Sequence, residues 1–407
     1  MPIEIRGIEE AEFRPWFDAV ESAFGEALTD EQFSEAGKIF ETERVVAAFD
    51  EGLCVGGGAA FSYRLSVPGG IDVGAAGVTA VGVMPTHRRR GILRSVMARQ
   101  LADVRAAGEA VAMLWASEGV IYQRFGYGLA SLNGGFDLPR ARAVFRHPSE
   151  WAGRVRLVDR ARALEAFPPV YEAVRRQTPG FFSRHTAWWQ DTLADPEYRR
   201  RGASQKFYAL YERDGQPAGY AMYRVKHEWG AADSRNEVRV LETMAVDPVA
   251  EHDVWRYLFG IDLIDRIVTR LGPPDPPLLL ALSQPEMLGL KIGDGLWLRL
   301  VDVPAALAGR GYGGDGEIVL EVRDEFMPEV AGRWRLAVAD GRARVEPTTD
   351  AAELALEIND LGSVYLGGFS FADLARAGRT AELASGARQR ADRLFSTDRA
   401  PWCPQIF

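Results

Sequence analysis

The sequence predicts three consecutive units, two of α/β class and a last one of α+β class. Three observations support this prediction. Strands and helices alternate in about the first 140 residues, the next segment repeats that order weakly, and strands precede helices from about Leu296 onwards. A length of 407 residues fits two to four domains of roughly 100–200 residues each. We therefore expect units at 1–145, 146–292 and 293–407.

Composition and charge argue against several classes of protein. Hydrophobic residues make up 47% and charged residues 26% of the chain, which is typical of globular domains. The net charge of −9 argues against nucleic acid as a partner, because proteins that coat it are usually basic. No apolar run approaches the roughly 18–20 residues that cross a membrane, and the acidic N-terminus shows no secretory leader. Two cysteines, Cys54 and Cys403, suit a reducing compartment, so we expect a cytoplasmic protein.

The negative charge is concentrated near the N-terminus. Residues 9–43 carry eleven acidic and two basic side chains, a net charge of −9. Apolar residues at helical spacing in the same segment predict two short amphipathic helices. Two interpretations stay open, a solvated face or an acidic wall that attracts a cationic substrate. On the second interpretation, five residues are expected to line the substrate: Trp16, Asp18, Phe24, Glu26 and Phe33.

Hydrophobic periodicity predicts the rest of the first unit. We expect two strands within 44–66 joined by a turn at 50–52, a strand at 73–84, a helix at 89–107, a strand at 110–116 and a short helix from 118. In the third unit we expect strands at 296–302, 316–323 and 333–346, and helices at 358–364, 370–376 and 385–393.

The second unit repeats the first in weak form. Four residue pairs share an offset of 163 positions: Gly52 and Gly215, Gly56 and Gly219, Val83 and Val246, and Pro85 and Pro248. A duplicated domain explains this best. The basic loop HRRRG after Pro85 corresponds to VAEHD after Pro248, so an anion site in the first copy should be absent from the second. The run LLLALS, which follows GPPDPP at 272–277, is predicted to be a strand.

The stretch from Val78 to Leu93 carries the strongest chemical signal. An apolar strand runs into Pro85, which cannot continue a sheet ladder, and RRRG then opens a helix. A helix N-terminus presents free N–H groups and a partial positive charge, and arginines add charge-assisted donors. The sequence therefore predicts a diphosphate site next to a strand that can pair with an extended ligand.

This arrangement resembles the GNAT superfamily of N-acetyltransferases, whose acetyl-CoA motif R/Q-x-x-G-x-G/A lies between a strand and a helix. Arg88 to Gly91 match its first four positions, and Leu93 departs from the usual final Gly or Ala. The resemblance implies acetyl-CoA as cosubstrate. It assigns cofactor binding to ten residues: Val81, Gly82, Val83, Arg88, Arg89, Arg90, Gly91, Ile92, Leu93 and Arg94. The five histidines show no metal-binding spacing, so we expect no metal.

A second motif, WASEGVIYQRFGYG at 115–128, is similar to the Y-x-x-x-G-F/Y element of the superfamily. The resemblance makes Tyr122 the general acid that protonates the departing CoA thiolate. A phenol and an alkyl thiol have comparable pKa values, so this transfer is nearly balanced. Tyr127 is the second candidate for that role. Ser117 and Glu118, at the end of a strand, are expected to touch the cofactor.

Over nearly its whole length the chain is similar to the Eis-like (enhanced intracellular survival) acetyltransferases. That resemblance implies tandem GNAT domains, the second one degenerate, followed by a sterol-carrier-protein-like domain. In this family the C-terminal carboxylate, here that of Phe407, reaches the active site and acts as general base. A free α-carboxylate is a weak base, so it either takes the amine proton directly, relays it through water, or mainly binds the cationic amine.

The resemblance also implies an acceptor and an assembly. The acceptors typical of the family are aminoglycosides, which are polycationic amines, and the expected assembly is a homohexamer. Two other functions stay open: a protein lysine N-acetyltransferase, and a non-catalytic module whose third domain binds a lipid or another apolar ligand.

Overall fold

The computed structural model describes residues 3–230 and 234–407 and divides them into two compact units. The first unit contains the residues up to Ser131 together with Leu296–Arg399 and Ile406–Phe407. The second contains Leu132–Gly295 and Ala400–Gln405. None of the helices in the described ranges combines the length and the apolar character that crossing a membrane requires.

Residues 3–131 form the strands and helices that the hydrophobic pattern predicts, together with two short strands, at 4–6 and 128–129, that it does not predict. In chain order they are β1 (Glu4–Arg6), α1 (Phe13–Phe24), α2 (Asp30–Ala36), β2 (Val45–Asp50), β3 (Leu53–Val67), β4 (Ile71–Val83), α3 (Ile92–Ala106), β5 (Val111–Trp115), α4 (Gly119–Gln123) and β6 (Gly128–Leu129). The two amphipathic helices of the acidic segment are α1 and α2, so their prediction is confirmed.

Residues 132–295 form a second run of strands and helices. They are β7 (Leu132–Pro139), β8 (Arg154–Val158), α5 (Arg160–Arg175), α6 (Thr186–Thr192), β9 (Phe207–Arg213), β10 (Gln216–Lys226), β11 (Glu237–Ala245), α7 (Pro248–Phe259), β12 (Arg266–Thr269), α8 (Leu278–Ala281) and β13 (Lys291–Asp294). The strand predicted at LLLALS is wrong, because this run forms the single helical turn α8 after Pro277. A short apolar run has no periodicity that separates a buried strand from a buried turn of helix.

Residues 296–407 complete the chain. They form β14 (Leu296–Leu300), α9 (Val303–Ala308), β15 (Gly316–Arg323), β16 (Gly332–Ala339), β17 (Arg342–Pro347), β18 (Leu354–Glu357), α10 (Ile358–Tyr365), α11 (Phe371–Arg376), β19 (Thr380–Glu382) and α12 (Ala387–Phe395). The single strand predicted at 333–346 is two strands. They are separated by a tight turn in which Asp340 and Gly341 adopt positive φ angles of 52° and 70°.

The first sheet has seven strands in the order β1-β2-β3-β4-β5-β14-β6. Its strands are antiparallel except for β4 and β5, which pair in parallel. The sixth strand, β14, pairs with β5 along its whole length, from Leu296 opposite Trp115 to Leu300 opposite Val111. We expected Leu296–Leu300 in the third unit, and this placement corrects that expectation. Its partner strand is distant in sequence, and no local pattern records the pairing.

The second sheet repeats the order and the directions of the first. Its strands follow the order β8-β9-β10-β11-β12-β7-β13, and β11 and β12 form its parallel pair. The position that β14 takes beside β5 is taken by β7 beside β12. Gly52 and Gly215 occupy matching turns, with φ angles of 83° and 75°. The predicted duplication is therefore confirmed at the level of topology.

The third sheet belongs to the first compact unit and has the order β17-β16-β15-β18-β19. Helix α10 leaves β18 and packs on strands β14 and β6 of the first sheet. Glycines make this approach close: a Cβ on Gly128 would lie 1.7 Å from the carbonyl oxygen of Asn359, and one on Gly362 would lie 2.3 Å from that of Leu298. Any larger side chain at either position would separate the helix from the sheet.

Candidate active site

Strands β4 and β5 separate in the middle of the first sheet. Their parallel pairing covers Ala75 to Gly77, with Gly77 opposite Met113, whereas β4 continues to Val83. In the residues that the structure describes, no strand pairs with this side of β4 beyond Gly77. The backbone from Val81 to Val83, predicted to pair with the cofactor, therefore lies on an open strand edge, which can add an extended ligand.

A β-bulge changes the direction of the backbone just before this open edge. The register between β3 and β4 shifts between Gly57 and Ala59, and the bulged residue Ala80 has a positive φ of 49°. A non-glycine residue in this conformation is strained and often marks a functional site. The sequence offered only a weak sign of it, the run Gly56-Gly57-Gly58 on the partner strand.

The N-terminus of α3 follows β4 and has free donors. Gly91 is its N-cap residue, in the left-handed conformation with a φ of 81°, and no side chain caps the helix. The backbone N–H groups of the first turn, from Ile92 to Arg94, are left available for an anion. Ile92 itself is only 3% exposed, and its side chain lies in the core.

The arginines predicted to bind the cofactor divide into two groups. Arg88 donates to the carbonyl oxygens of Val83, at 3.3 Å, and Ala23, at 2.7 Å. Arg90 donates to Asp50 at 2.9 Å, and this hydrogen bond lowers the pKa of the Asp50 carboxyl. These two side chains thus hold the turn in place.

Arg89 and Arg94 form the second group. Both are exposed, and within residues 3–230 and 234–407 neither guanidinium pairs with a carboxylate. Arg89 also has a positive φ of 63°, which places it in the turn directly before Gly91. Their uncompensated charges are the ones left for a diphosphate.

Tyr122 lies on α4, which begins shortly after β5 ends. Its side chain is 6% exposed, and its hydroxyl forms a hydrogen bond with the side chain of the exposed Ser117. Burial raises the pKa of Tyr122, and the bond with Ser117 opposes this rise. The phenol is therefore protonated at neutral pH, which is the state that a general acid needs. Glu118, the N-cap residue of α4, is exposed.

Tyr127 has a different environment. It is fully buried, with its ring centroid 6.1 Å from that of Tyr122, and burial raises its pKa. Its hydroxyl has no hydrogen-bond partner in the described part of the chain. A buried hydroxyl without access to solvent is poorly placed to exchange a proton, so Tyr122 is the better candidate of the two.

Phe407 packs on the first sheet at the point where β4 and β5 separate. Its ring meets that of Tyr63 at 5.3 Å between centroids, at an angle of 66°. A Cβ on Gly77 would lie 3.1 Å from the Phe407 ring, so a glycine there leaves room for the terminal side chain. The end of the chain is therefore docked on the first unit. Neither Tyr63 nor Gly77 was singled out from the sequence, because neither belongs to a local motif.

The acidic segment has a buried and an exposed side. Trp16 is fully buried in the core that α1 forms with the sheet, which corrects its assignment to the substrate surface. A Cβ on Gly57 would lie 2.6 Å from the indole nitrogen of Trp16, so the tryptophan sits directly on the strand. Phe33 is half-buried against Phe13 and Phe17.

The remaining residues of the predicted substrate surface are exposed. Phe24 is 51% exposed, and Asp18 and Glu26 also face solvent. Asp18 forms an ion pair with Arg14 at 2.9 Å. An aromatic face with carboxylates beside it is left at the end of α1, and its role in binding a cation stays a prediction.

The second copy lacks the features of the first at the matching helix. Asp247 is the N-cap of α7, accepts from the N–H of Ala250 at 2.9 Å and forms an ion pair with Arg213 at 2.5 Å. This interaction lowers the pKa of Asp247, so the carboxylate is charged at neutral pH. A carboxylate at a helix N-terminus opposes an anionic ligand, in agreement with the comparison of the two loops. Among the described residues, no three His, Cys, Asp or Glu side chains are grouped to hold a metal ion.

Family models match three parts of the chain. The acetyltransferase (GNAT) domain matches residues 4–130, a second acetyltransferase (GNAT) domain matches 180–300, and the sterol carrier protein domain matches 303–404. The predicted order of two GNAT domains and a sterol-carrier-protein-like domain is thus confirmed.

Comparison with individual proteins gives relatives of similar length. The chain is 39% identical to an uncharacterised N-acetyltransferase of Streptomyces avermitilis, over 100% of both chains. It is 38% identical to the N-acetyltransferase Eis of Mycobacterium tuberculosis, over 82% of this chain and 81% of that protein. The crystal structure of Eis1 from Mycobacterium abscessus superposes with a TM-score of 0.87 at 33% identity, over 99% of this chain and 100% of that one.

Proposed function

The chain belongs to the Eis family of GNAT N-acetyltransferases, and from this premise we propose that it transfers the acetyl group of acetyl-CoA to primary amines of polycationic small molecules such as aminoglycosides. One observation carries the proposal: β4 parts from β5 after Gly77 and leads, through Gly91, to the uncapped N-terminus of α3. An extended pantetheine arm can pair with the first feature, and a diphosphate can bind the second.

Two groups of this chain would move protons during the transfer. Acetyl-CoA supplies a thioester, whose carbonyl carbon forms the new bond to the amine nitrogen while the bond from carbon to sulfur breaks. Tyr122 gives its phenol proton to the leaving thiolate. The carboxylate of Phe407 takes the proton of the amine, directly or through one water molecule. Backbone N–H groups on the open edge of β4 stabilise the negative charge on the carbonyl oxygen.

The charge of the first unit favours a cationic acceptor. Residues 9–43 carry a net charge of −9, and Phe24, Asp18 and Glu26 are exposed on or beside α1. Such a surface raises the local concentration of a polycation. Salt screens this attraction, so the effect is smaller at high ionic strength. The KM for a polyamine should therefore rise with ionic strength more steeply than the KM for a monoamine.

A panel of amines tests the proposal. Aminoglycosides, linear polyamines, a lysine peptide and a simple monoamine are each incubated with acetyl-CoA, release of CoA thiol is followed, and mass spectrometry counts the acetyl groups. We expect the highest kcat/KM for the polycationic small molecules. A preference for the lysine peptide would favour a protein acetyltransferase instead.

Binding of the cofactor separates an enzyme from a non-catalytic module. A stabilising thermal shift with acetyl-CoA is expected on the proposal. The absence of both this shift and thiol release would support a module whose third domain binds an apolar ligand. A homohexamer remains an expectation from the family resemblance, and light scattering of the purified chain tests it.

A further inference from the structure

A loop of the third domain contacts the helix that is proposed to bind the diphosphate. Phe326 lies in the loop after β15, and its ring centroid is 5.0 Å from the guanidinium carbon of Arg94, on the first turn of α3. The same ring meets Phe125, next to the tyrosine motif, at 5.0 Å and an angle of 67°. Phe326 therefore joins two elements of the proposed active site.

A buried ion pair fixes this loop. Oδ1 of Asp324 accepts from the N–H groups of Phe326 and Met327, both at 2.9 Å. Its other oxygen accepts from Arg299, whose guanidinium also donates to the carbonyl oxygen of Phe125. The side chains of Arg299 and Asp324 are 0% and 1% exposed. A desolvated ion pair that also binds the backbone of the loop and of Phe125 holds its neighbours in one geometry.

We propose that Phe326 is a positioning residue that fixes the Arg94 guanidinium for the diphosphate of acetyl-CoA, an inference that rests on the proposed function. An exposed arginine loses rotamer freedom when it binds an anion. An aromatic face that already holds the guanidinium removes part of this loss before the ligand arrives. The third domain thus contributes to cofactor binding in addition to supplying the C-terminus.

Two acyl donors test this role. Acetyl-CoA contains the diphosphate, whereas S-acetyl-pantetheine lacks it. Phe326→Met keeps an apolar side chain of nearly the same length but removes the aromatic face. We expect it to raise the KM for acetyl-CoA ~5- to 10-fold, to leave kcat within about 2-fold, and to leave kcat/KM for S-acetyl-pantetheine unchanged. Phe326→Tyr retains the face and should keep the wild-type KM.

The contact with Arg94 predicts how two substitutions combine. Arg94→Ala alone should raise the KM for acetyl-CoA and not that for S-acetyl-pantetheine. In that background Phe326→Met should have no further effect, because the group that it positions is absent. Trp151→Leu is the matched control: it removes the aromatic partner of Arg256, at 4.5 Å, in the other compact unit, and should change neither KM.

Several outcomes would overturn the proposal. One is an unchanged KM for acetyl-CoA in Phe326→Met. A second is an equal loss of kcat/KM with acetyl-CoA and with S-acetyl-pantetheine. A third is a double variant in which Phe326→Met and Arg94→Ala each raise the KM for acetyl-CoA independently, so that their factors multiply. Should Phe326→Met fail to fold, the exposed Arg94→Ala still tests the proposal. An unchanged KM for acetyl-CoA in that variant would show that Arg94 does not bind the diphosphate, and Phe326 would then have no group to position.

Calorimetric titration of CoA into the same variants separates this inference from the proposed function. A wild-type chain that binds CoA but acetylates no amine contradicts the proposed function alone. The role of Phe326 is then judged from the dissociation constants, with a ~5- to 10-fold weakening expected for Phe326→Met. A wild-type chain that does not bind CoA overturns both.

Discussion

The ring of Phe407, the last residue of the chain, meets the ring of Tyr63 on β3 in an edge-to-face arrangement, with the two centroids 5.3 Å apart. Gly77, the last residue of β4 that pairs with β5, leaves the space in which the Phe407 ring lies. The side chain thus fixes where the terminal carboxylate can be. A role of this carboxylate in proton transfer would depend on that docking.

Moving the carboxylate is the most direct test of its role. A single glycine added after Phe407 would displace it by about 3.5 Å, the length of one extended residue. Since a misplacement of about 1 Å can reduce turnover ~10²-fold, we expect at least that loss in kcat with little change in the thermal midpoint. Steady-state kinetics and a thermal melt measure the two effects.

Ile406→Ala provides the control for the extension. Ile406 is 60% exposed, and its truncation leaves the carboxylate at the same position in the chain. It should retain wild-type kcat. Full activity of the extended chain would show that the terminus takes no part in the reaction.

Removing one hydroxyl tests the proposed general acid. Tyr122→Phe should reduce kcat ~10²- to 10⁴-fold, the usual range for loss of general acid catalysis, while the dissociation constant for CoA stays the same. Tyr127→Phe is the matched control, because it deletes a neighbouring phenol hydroxyl that has no hydrogen-bond partner in the described part of the chain. Its kcat should be unchanged. A large loss of kcat in Tyr127→Phe, with little loss in Tyr122→Phe, would identify Tyr127 as the general acid instead.

Local patterns predicted the elements of the candidate site that lie close together in sequence. The end of β4, the turn from Arg88 to Gly91 and the start of α3 form one continuous stretch, and Tyr122, which the family resemblance singled out, follows one strand later. Here hydrophobic periodicity, a proline and a glycine were enough to place the elements.

The rest depends on contacts between distant residues. The pairing of β14 with β5, and the docking of Phe407 on Tyr63, leave no local trace in the sequence. Trp16 illustrates a second limit. An amphipathic helix shows which residues share a face, and a tryptophan on that face can lie in the core or line a ligand. Close packing against Gly57 places this one in the core.

Two glycines at opposite ends of α3 allow a matched test of the diphosphate site. Gly91 and Gly108 have φ angles of 81° and 74°, and a Cβ at either would meet no atom within 4 Å. Alanine at either position should cost about 1–2 kcal/mol of stability, because a Cβ disfavours the left-handed conformation. Only Gly91→Ala alters the turn before the free N–H groups, so it alone should raise the KM for acetyl-CoA, roughly tenfold. Kinetics and denaturant unfolding distinguish the two effects, and an equal KM in both variants would place the diphosphate elsewhere.

The third domain contains a buried carboxyl whose ionisation should make stability depend on pH. Burial raises the pKa of Asp360 on α10 to about 6 from an ordinary value of 3.8, although Arg379 lies 2.7 Å away and opposes the shift. At pH values between these two pKa values the folded state binds more protons than the unfolded state. The free energy of unfolding therefore decreases as pH rises through this range, and it levels off above about pH 6. At roughly 1.4 kcal/mol per pH unit the decrease is at most about 3 kcal/mol.

Asp360→Asn should remove this dependence, since an amide does not ionise. Urea unfolding of the full chain at several pH values between 4 and 7 measures the difference between the variant and the wild type. Asp373 on α11 is the matched control, because its hydrogen bond with Ser370 lowers its pKa, so above about pH 5 it is ionised in both the folded and the unfolded state. Asp373→Asn should therefore shift stability by the same amount at every pH from about 5 to 7, where Asp360 still titrates. If the stability of the wild type and that of Asp360→Asn changed in the same way between pH 4 and pH 6, Asp360 would ionise normally in the folded state. The ion pair with Arg379 would then fully offset the cost of burying the Asp360 carboxylate on α10.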